Sequence, residues 1–428
     1  METAVRLLRH PMRFLVPFSI LVVPLLAACQ PTGGAPAPSP APAASGPIKI
    51  GGLFPYTGAL GEFGPDFENG AKLAIKHLKD AGIAIDLVTG DDGTVPTAAV
   101  GAARKLVDTD KVVGIAGPAA SSAAISVANT VTIPANIPIV SSSATSPLLT
   151  SLPADKGKDM VFRTAPSDAL QGVVLGRLAK QQGFAKAAVM YVDNPYGQGL
   201  TEVFEKAFTS QGGQVVAKVA HPEAGQPSYV AELKKATEGK PDVLIAVSYP
   251  EHATVYLKEA IEGNFIKKFL FVDGSKSEDL IKKVGAAAVE GMYGTAPGSA
   301  ESTSLTQFND AYKAQYGKLA AHPFVTNTYD AVIVLGLAAY KAQIDGKGVT
   351  GTTVRDALRQ VTAGSGEKVT AGAAGIKKAA DLIKQKKAVN YEGVASSADF
   401  DANGDVSSVI EIWQYSGGAI KTVRNENP

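Results

Sequence analysis

From Ile48 onward the chain alternates short apolar runs with amphipathic stretches, and nothing else in it constrains the fold as tightly. IKIGGLF (48–54) has the pattern of a buried strand ending in a turn. Residues 65–81 follow, with Phe67, Ala71, Leu73, Ala74, Ile75 and Leu78 spaced as one helical stripe. Strand patterns recur at 83–89, 112–117 and 137–143, separated by helical patterns at 97–108 and 120–131. Repeated strand–helix–strand order implies a parallel sheet with helices on both faces. A second round begins after Arg163. Helices over 168–182, 198–211, 228–238, 251–262 and 277–283 alternate with strands at 187–192, 215–220, 242–248, 269–274 and 292–296. Two rounds of similar order predict an α/β protein of two similar lobes. The tail departs from the alternation: helices at about 302–315, 324–343, 351–361 and 374–386 come almost in succession. FDANGDV (400–406) and VIEIWQY (409–415) then predict a hairpin, because Asn403-Gly404 suits a positive φ. A calcium loop is the sharper reading of the acidic turn 401–405, but the twelve-residue spacing and terminal Glu of an EF-hand are missing.

At 428 residues the chain is too long for one small core and suits two or three domains. Its 45% hydrophobic and 19% charged residues fit a globular protein. Lys+Arg 41 against Asp+Glu 40 argues against nucleic-acid binding by bulk charge. A single Cys rules out an intramolecular disulfide framework and any Cys-rich zinc module. Five His with no i, i+4 pair give no helical metal site, although a site from scattered residues stays open. No cofactor is indicated.

The amino terminus carries Arg6, Arg9 and Arg13 before an apolar run from Phe14 to Ala28. That run is about 15 residues long and holds Pro17 and Pro24, which is short and broken for a permanent span. It matches an export signal over 1–28. Met12 is an alternative start. The signal ends Leu26-Ala27-Ala28-Cys29, which resembles the bacterial lipobox and predicts lipidation at Cys29; a general secretory signal with a chance Cys is the alternative. Residues 29–47 are rich in Pro and Ala and predict an extended, semi-rigid tether. Together these features predict an extracytoplasmic globule lipid-anchored to the envelope.

In open α/β sheets, ligands bind outside the carboxyl ends of the strands. Two such loops are rich in hydroxyls: Gly117-Pro118-Ala119-Ala120-Ser121-Ser122 at a predicted helix start, and Ser141-Ser142-Ser143-Ala144-Thr145-Ser146. Free N–H groups and hydroxyls there suit a carboxylate, or serve only as helix caps. Asp273 follows the strand FLFV, where it either pairs with a cation or caps a turn. Tyr196, Tyr249 and Phe63 sit at further strand ends and could wall an apolar site.

The order of elements, the lipobox and a series of motifs resemble the periplasmic-binding-protein type I superfamily. The nearest branch is the leucine/isoleucine/valine-binding subunits of branched-chain amino-acid ABC transporters. The similarity covers about 48–428, and its motifs are IKIGGLFPYTGALGEFG, the Asp91-Asp92 turn, GPAASSAA, IPIVSSSATSPLLT, FRTAPSD, NPYGQGL, VSYPEH, FVDG, TYDA, NYEGV and FDANGDV. The resemblance implies two lobes joined by three hinge crossovers near 164–167, 295–298 and 395–399. The amino-terminal lobe would comprise 48–165 and 297–396, and the carboxy-terminal lobe 166–296 and 397–428. It further implies an amino acid held between the lobes and delivered to ABC permease subunits. Ser121, Ser143 (through its backbone) and Thr145 would hold the carboxylate and α-amine. Asp273 would take the ammonium, with Tyr196, Tyr249 and Phe63 as aromatic walls. The family's acid is often Glu, and Phe63 stands where branched-chain binders have Tyr. Family members also bind amides, urea and aromatic acids, and the same sequence would serve a sensor.

An enzyme reading has little to rest on. GALGEFG spaces its glycines as G-x-x-G-x-x-G rather than G-x-G-x-x-G, and there is no G-x-S-x-G. His77, His221, His252 and His322 lie in polar contexts that predict surface or cap positions.

Overall fold

A computed structural model describes residues 46–428. The export signal, the lipidation site at Cys29 and all but the last two residues of the tether lie outside the described residues. The first round forms β1 (Ile48–Phe54), α1 (Gly64–Asp80), β2 (Ile85–Asp91), α2 (Pro96–Arg104), β3 (Ile115–Ala116), α3 (Ser121–Val127), α4 (Ile133–Ala135), β4 (Ile139–Ser141) and β5 (Val161–Arg163). The strands make a five-stranded parallel sheet in the order β2-β1-β3-β4-β5. β5 has no counterpart in the predicted strands; at three residues it is too short to show a period.

The second round forms α5 (Asp168–Gln181), β6 (Lys186–Val192), α6 (Pro195–Ser210), β7 (Gln214–His221), α7 (Val230–Thr237), β8 (Val243–Val247), α8 (Pro250–Glu262), β9 (Phe269–Phe271), α9 (Glu278–Val284), α10 (Ala286–Val289) and β10 (Tyr293–Pro297). The chain continues through α11 (Thr303–Tyr316), α12 (Val325–Ile344), α13 (Gly351–Val361), β11 (Glu367–Val369), α14 (Gly372–Lys384), β12 (Val389–Tyr391), β13 (Ile410–Ser416) and β14 (Ala419–Glu426). The second sheet is seven-stranded, in the order β14-β13-β10-β9-β8-β6-β7. Its β13 and β14 run antiparallel, so this lobe is a parallel sheet with an antiparallel edge.

Helix α12 returns to the first lobe and packs on α1, β1, β3 and β4. Its sequence is apolar on nearly every face, as burial on all sides requires. Gly336 lets it approach α1: a Cβ there would stand 2.4 Å from Leu78. Asp330, on the same helix, accepts from the backbone N–H groups of Val394 and Ala395, which ties the returning chain to this lobe.

The predicted hairpin at Asn403-Gly404 does not form. Asp401 Oδ1 accepts from the N–H groups of Asn403 and Asp405, closing the turn on itself. Asp405 then pairs with the buried Arg163, and Arg163 N donates to Gly404 O. The real hairpin joins β13 to β14 at Gly417-Gly418, both with positive φ. Phe400 packs edge-on against Phe162 and Asp405 pairs with Arg163, so the chain stays beside β5 through Asp405.

Candidate functional site

Loops following β1, β3 and β4 meet loops following β6, β8 and β9 around one cavity. Its walls are Leu60, Phe63, Phe67, Ala119, Ala120, Ser121, Ser143 and Phe324 on one side, and Tyr196, Tyr249, Asp273 and Gly274 on the other. The space between them is about 310 Å³, counting the mouth. Six of the seven ligand-binding residues expected from the sequence thus face a single space. Thr145 does not: its hydroxyl points behind the wall and donates to Asp168 Oδ2 at 2.9 Å.

On the first lobe the hydroxyls both knit the loops and serve the cavity. Ser121 Oγ accepts from Ser146 N at 3.1 Å, which leaves its own proton for donation. Ser121 also opens α3, where first-turn N–H groups lack intrahelical partners and favour an anion. Ser143 Oγ donates to Ala119 O at 3.2 Å. The Asp91-Asp92 turn holds the same wall: Asp91 Oδ1 accepts from the N–H groups of Tyr56 and Thr57, and Asp92 Oδ2 from Ala119 N. Burial pushes the Asp92 carboxyl up to about 7. Phe63 is buried, its ring 4.8 Å from that of His322, whose Nδ1 lies 2.8 Å from Asp66 Oδ2. Phe324 begins α12 with φ +68°, a left-handed backbone at the cavity wall.

On the second lobe Asn194 caps α6 and Tyr196 lies in its first turn, while Tyr249 opens α8. Their rings stack at 5.7 Å. Tyr196 Oη donates to Asp273 Oδ1 at 3.0 Å, and Gln171 Nε2 donates to the same oxygen at 2.8 Å. Asp273 is 3% exposed and its partners are neutral. Burial lifts its carboxyl to about 6 against the lowering effect of those two bonds. Behind it lies Asp168, fully buried, with Oδ1 unpartnered. Burial, and then the charge of Asp273, raises the Asp168 carboxyl. Two adjoining carboxyls in a poorly hydrated site resist ionising together. Arg163, the nearby cation, is committed elsewhere: it grips Asp405 through Nε and Nη2 and donates from Nη1 to Ser146 O.

The sequence reading missed Asp168, Gln171, Phe324 and Leu60. Asp168 stood inside the FRTAPSD motif, but motif membership alone does not distinguish a wall residue from one behind it. The histidine expectation fails: His77, His221 and His252 are buried and His322 is half-buried. His77 Nδ1 lies 2.8 Å from Tyr329 Oη, and burial brings His221 to about 4 and His252 to about 3, neutral rings packed with Tyr229 and Tyr256. Among the described residues no group of three or more His, Cys, Asp or Glu could hold a metal ion, and no helix is long and apolar enough to cross a membrane.

Residues 47–405 match the family model for periplasmic binding proteins. A Leu/Ile/Val-binding protein homolog from Brucella abortus is 26% identical over 368 residues, covering 81% of this chain and 87% of its own. The leucine-binding protein LivK of Thermotoga maritima superposes with a TM-score of 0.72 at 25% identity, over 89% of this chain and 99% of that one. A benzoate-bound solute-binding protein of an ABC transporter from Rhodopseudomonas palustris shares the fold at TM-score 0.70 and 18% identity, over 90% and 97%.

Proposed function

The chain belongs to the periplasmic binding protein family, and from that premise we propose that it captures an amino acid with an apolar side chain between its lobes and delivers it to an ABC permease. Asp273 carries this reading. It is a buried carboxylate on the wall of the cavity, held by neutral donors, and a buried charge is tolerated only when paired. A ligand ammonium supplies the missing partner. Ser121, Ser143 and the first turn of α3 then answer the ligand carboxylate across the cavity, with Thr145 supporting from behind. Leu60, Phe63, Phe67 and Phe324 leave an apolar remainder for an aliphatic side chain, and the stacked Tyr196 and Tyr249 close the other wall. An aromatic acid without a positive nitrogen would add a negative charge beside Asp273 and Asp168, which disfavours a benzoate-like ligand.

The experiment is a thermal-shift screen with branched-chain and other amino acids, amides, urea and aromatic acids, since a ligand that binds only the native state raises its melting temperature. Stabilisation by aromatic acids and not by any amino acid would sink the proposal. The envelope location rests on the leader and Cys29. A Cys29→Ser variant is expected to leave the membrane fraction; retention there would remove the anchor.

A further inference from the structure

Glu223 lies in the loop after β7, outside the cavity wall, yet it touches both lobes. Its Oε1 accepts from Ser122 Oγ in the first turn of α3, on the first lobe. The same oxygen accepts from Asn194 Nδ2 at 2.6 Å, on the second lobe. Asn194 Nδ2 also donates to Tyr249 Oη at 2.9 Å, and Asn194 Oδ1 accepts from Gly197 N at 3.0 Å. The carboxylate is presented from a tightly turned loop: Gly225 has φ +74°, a Cβ there would stand 3.1 Å from His252 Nε2, and Gln226 N donates to Tyr229 Oη. Ser122 adjoins Ser121, and Tyr249 is itself cavity wall.

We propose that Glu223 is a positioning residue for ligand retention. It latches α3 of one lobe to the Asn194–Tyr249 pair of the other, so that lobe closure and the setting of the Tyr249 ring are one event. This rests on the reading that the lobes close around a ligand. Another crossing, Ser146 Oγ donating to Pro195 O at 2.8 Å, uses neutral groups only. Bonds to an ionised acceptor are about twice as strong as neutral ones, so the Glu223 crossing carries more of the closure. When the lobes part, Ser122 leaves and Asn194 stays. The latch therefore favours the closed lobes with or without ligand, and once a ligand has entered it slows the rate at which it leaves.

The test titrates the full chain and the variants Ser122→Ala, Glu223→Gln, Glu223→Ala and S122A/E223A with L-leucine, by calorimetry and stopped-flow, and records small-angle scattering of each without ligand. Ser122→Ala and Glu223→Ala are expected to weaken binding about tenfold, nearly all of it as faster dissociation. The double variant should be no worse than Glu223→Ala, because that variant already lacks the contact to Ser122. Glu223→Gln should recover part of the loss, since its amide oxygen still accepts. Unchanged dissociation rates, or losses that add in the double variant, overturn the latch. If wild-type protein gives no heat with L-leucine, leucine fails as the ligand instead. The latch is then judged by scattering: a ligand-free wild type more compact than Glu223→Ala sustains it, and identical profiles overturn it.

Discussion

Replacing Asp273 by Asn should move ligand binding and stability in opposite directions. Burial lifts the Asp273 carboxyl from 3.8 to about 6. An acid whose pKa is higher folded than unfolded stabilises only while protonated. Its contribution is complete below the unfolded value and is lost as pH rises through about 6. At about pH 7.5 the ionised group therefore weighs against the empty folded protein by about 3 kcal/mol, and at about pH 4.5 by about 1 kcal/mol. Asn keeps an oxygen for Gln171 and Tyr196 but carries no charge. Ligand-free Asp273→Asn is thus expected to melt a few degrees above wild type at about pH 7.5, with the gap narrowing toward about pH 4.5. Its affinity for L-leucine should fall by about a hundredfold, because the ammonium loses its counter-charge. Scanning calorimetry across pH reads the first effect and titration calorimetry the second. A variant less stable than wild type at about pH 7.5, or a difference independent of pH, would refute the claim that an unpaired buried charge is waiting in this cleft.

Two further outcomes test the supports of the site. A Cβ at Gly274 would stand 2.6 Å from Ser248 O and 3.0 Å from Tyr196 Oη, so Gly274→Ala should destabilise the protein by about 1–3 kcal/mol and weaken ligand binding. An unchanged melting temperature and affinity would show that the Asp273–Tyr196 wall is not tightly packed. Asp405→Ala strands the buried Arg163 without its partner and should lower stability by about 3–5 kcal/mol in urea unfolding. A loss under about 1 kcal/mol would mean that this pair does not secure the loop beneath Ser146.

The alternation of strands and helices was legible because each lobe buries a sheet between helices, and burial writes its period into the sequence. The predicted strand over 48–54 and the helix over 65–81 depart from β1 and α1 by a residue at most. Where local chemistry competed with long-range pairing, the sequence misled. Asn403-Gly404 has hairpin residues, but Asp401 closes that turn locally and Asp405 is drawn to Arg163, 242 positions away. Strand β14 was missed because its burial is slight, so no alternation marks it. At the site, strand-end position located Ser121, Ser143, Tyr196, Tyr249 and Asp273 on the cavity. It could not tell that Thr145 turns away toward Asp168, since consecutive loop residues point in directions that only packing decides. Gln171 and Glu223 were silent for the same reason: each acts through a partner distant in the chain.

The most direct test of a clamped zwitterion is titration calorimetry with L-leucine beside its two halves, 4-methylpentanoate without the ammonium and isopentylamine without the carboxylate. Leucine is expected to bind, and each half to bind at least about a hundredfold more weakly, because each leaves one buried polar wall unanswered. Binding of 4-methylpentanoate as tight as that of leucine would contradict the pairing of Asp273 with an ammonium.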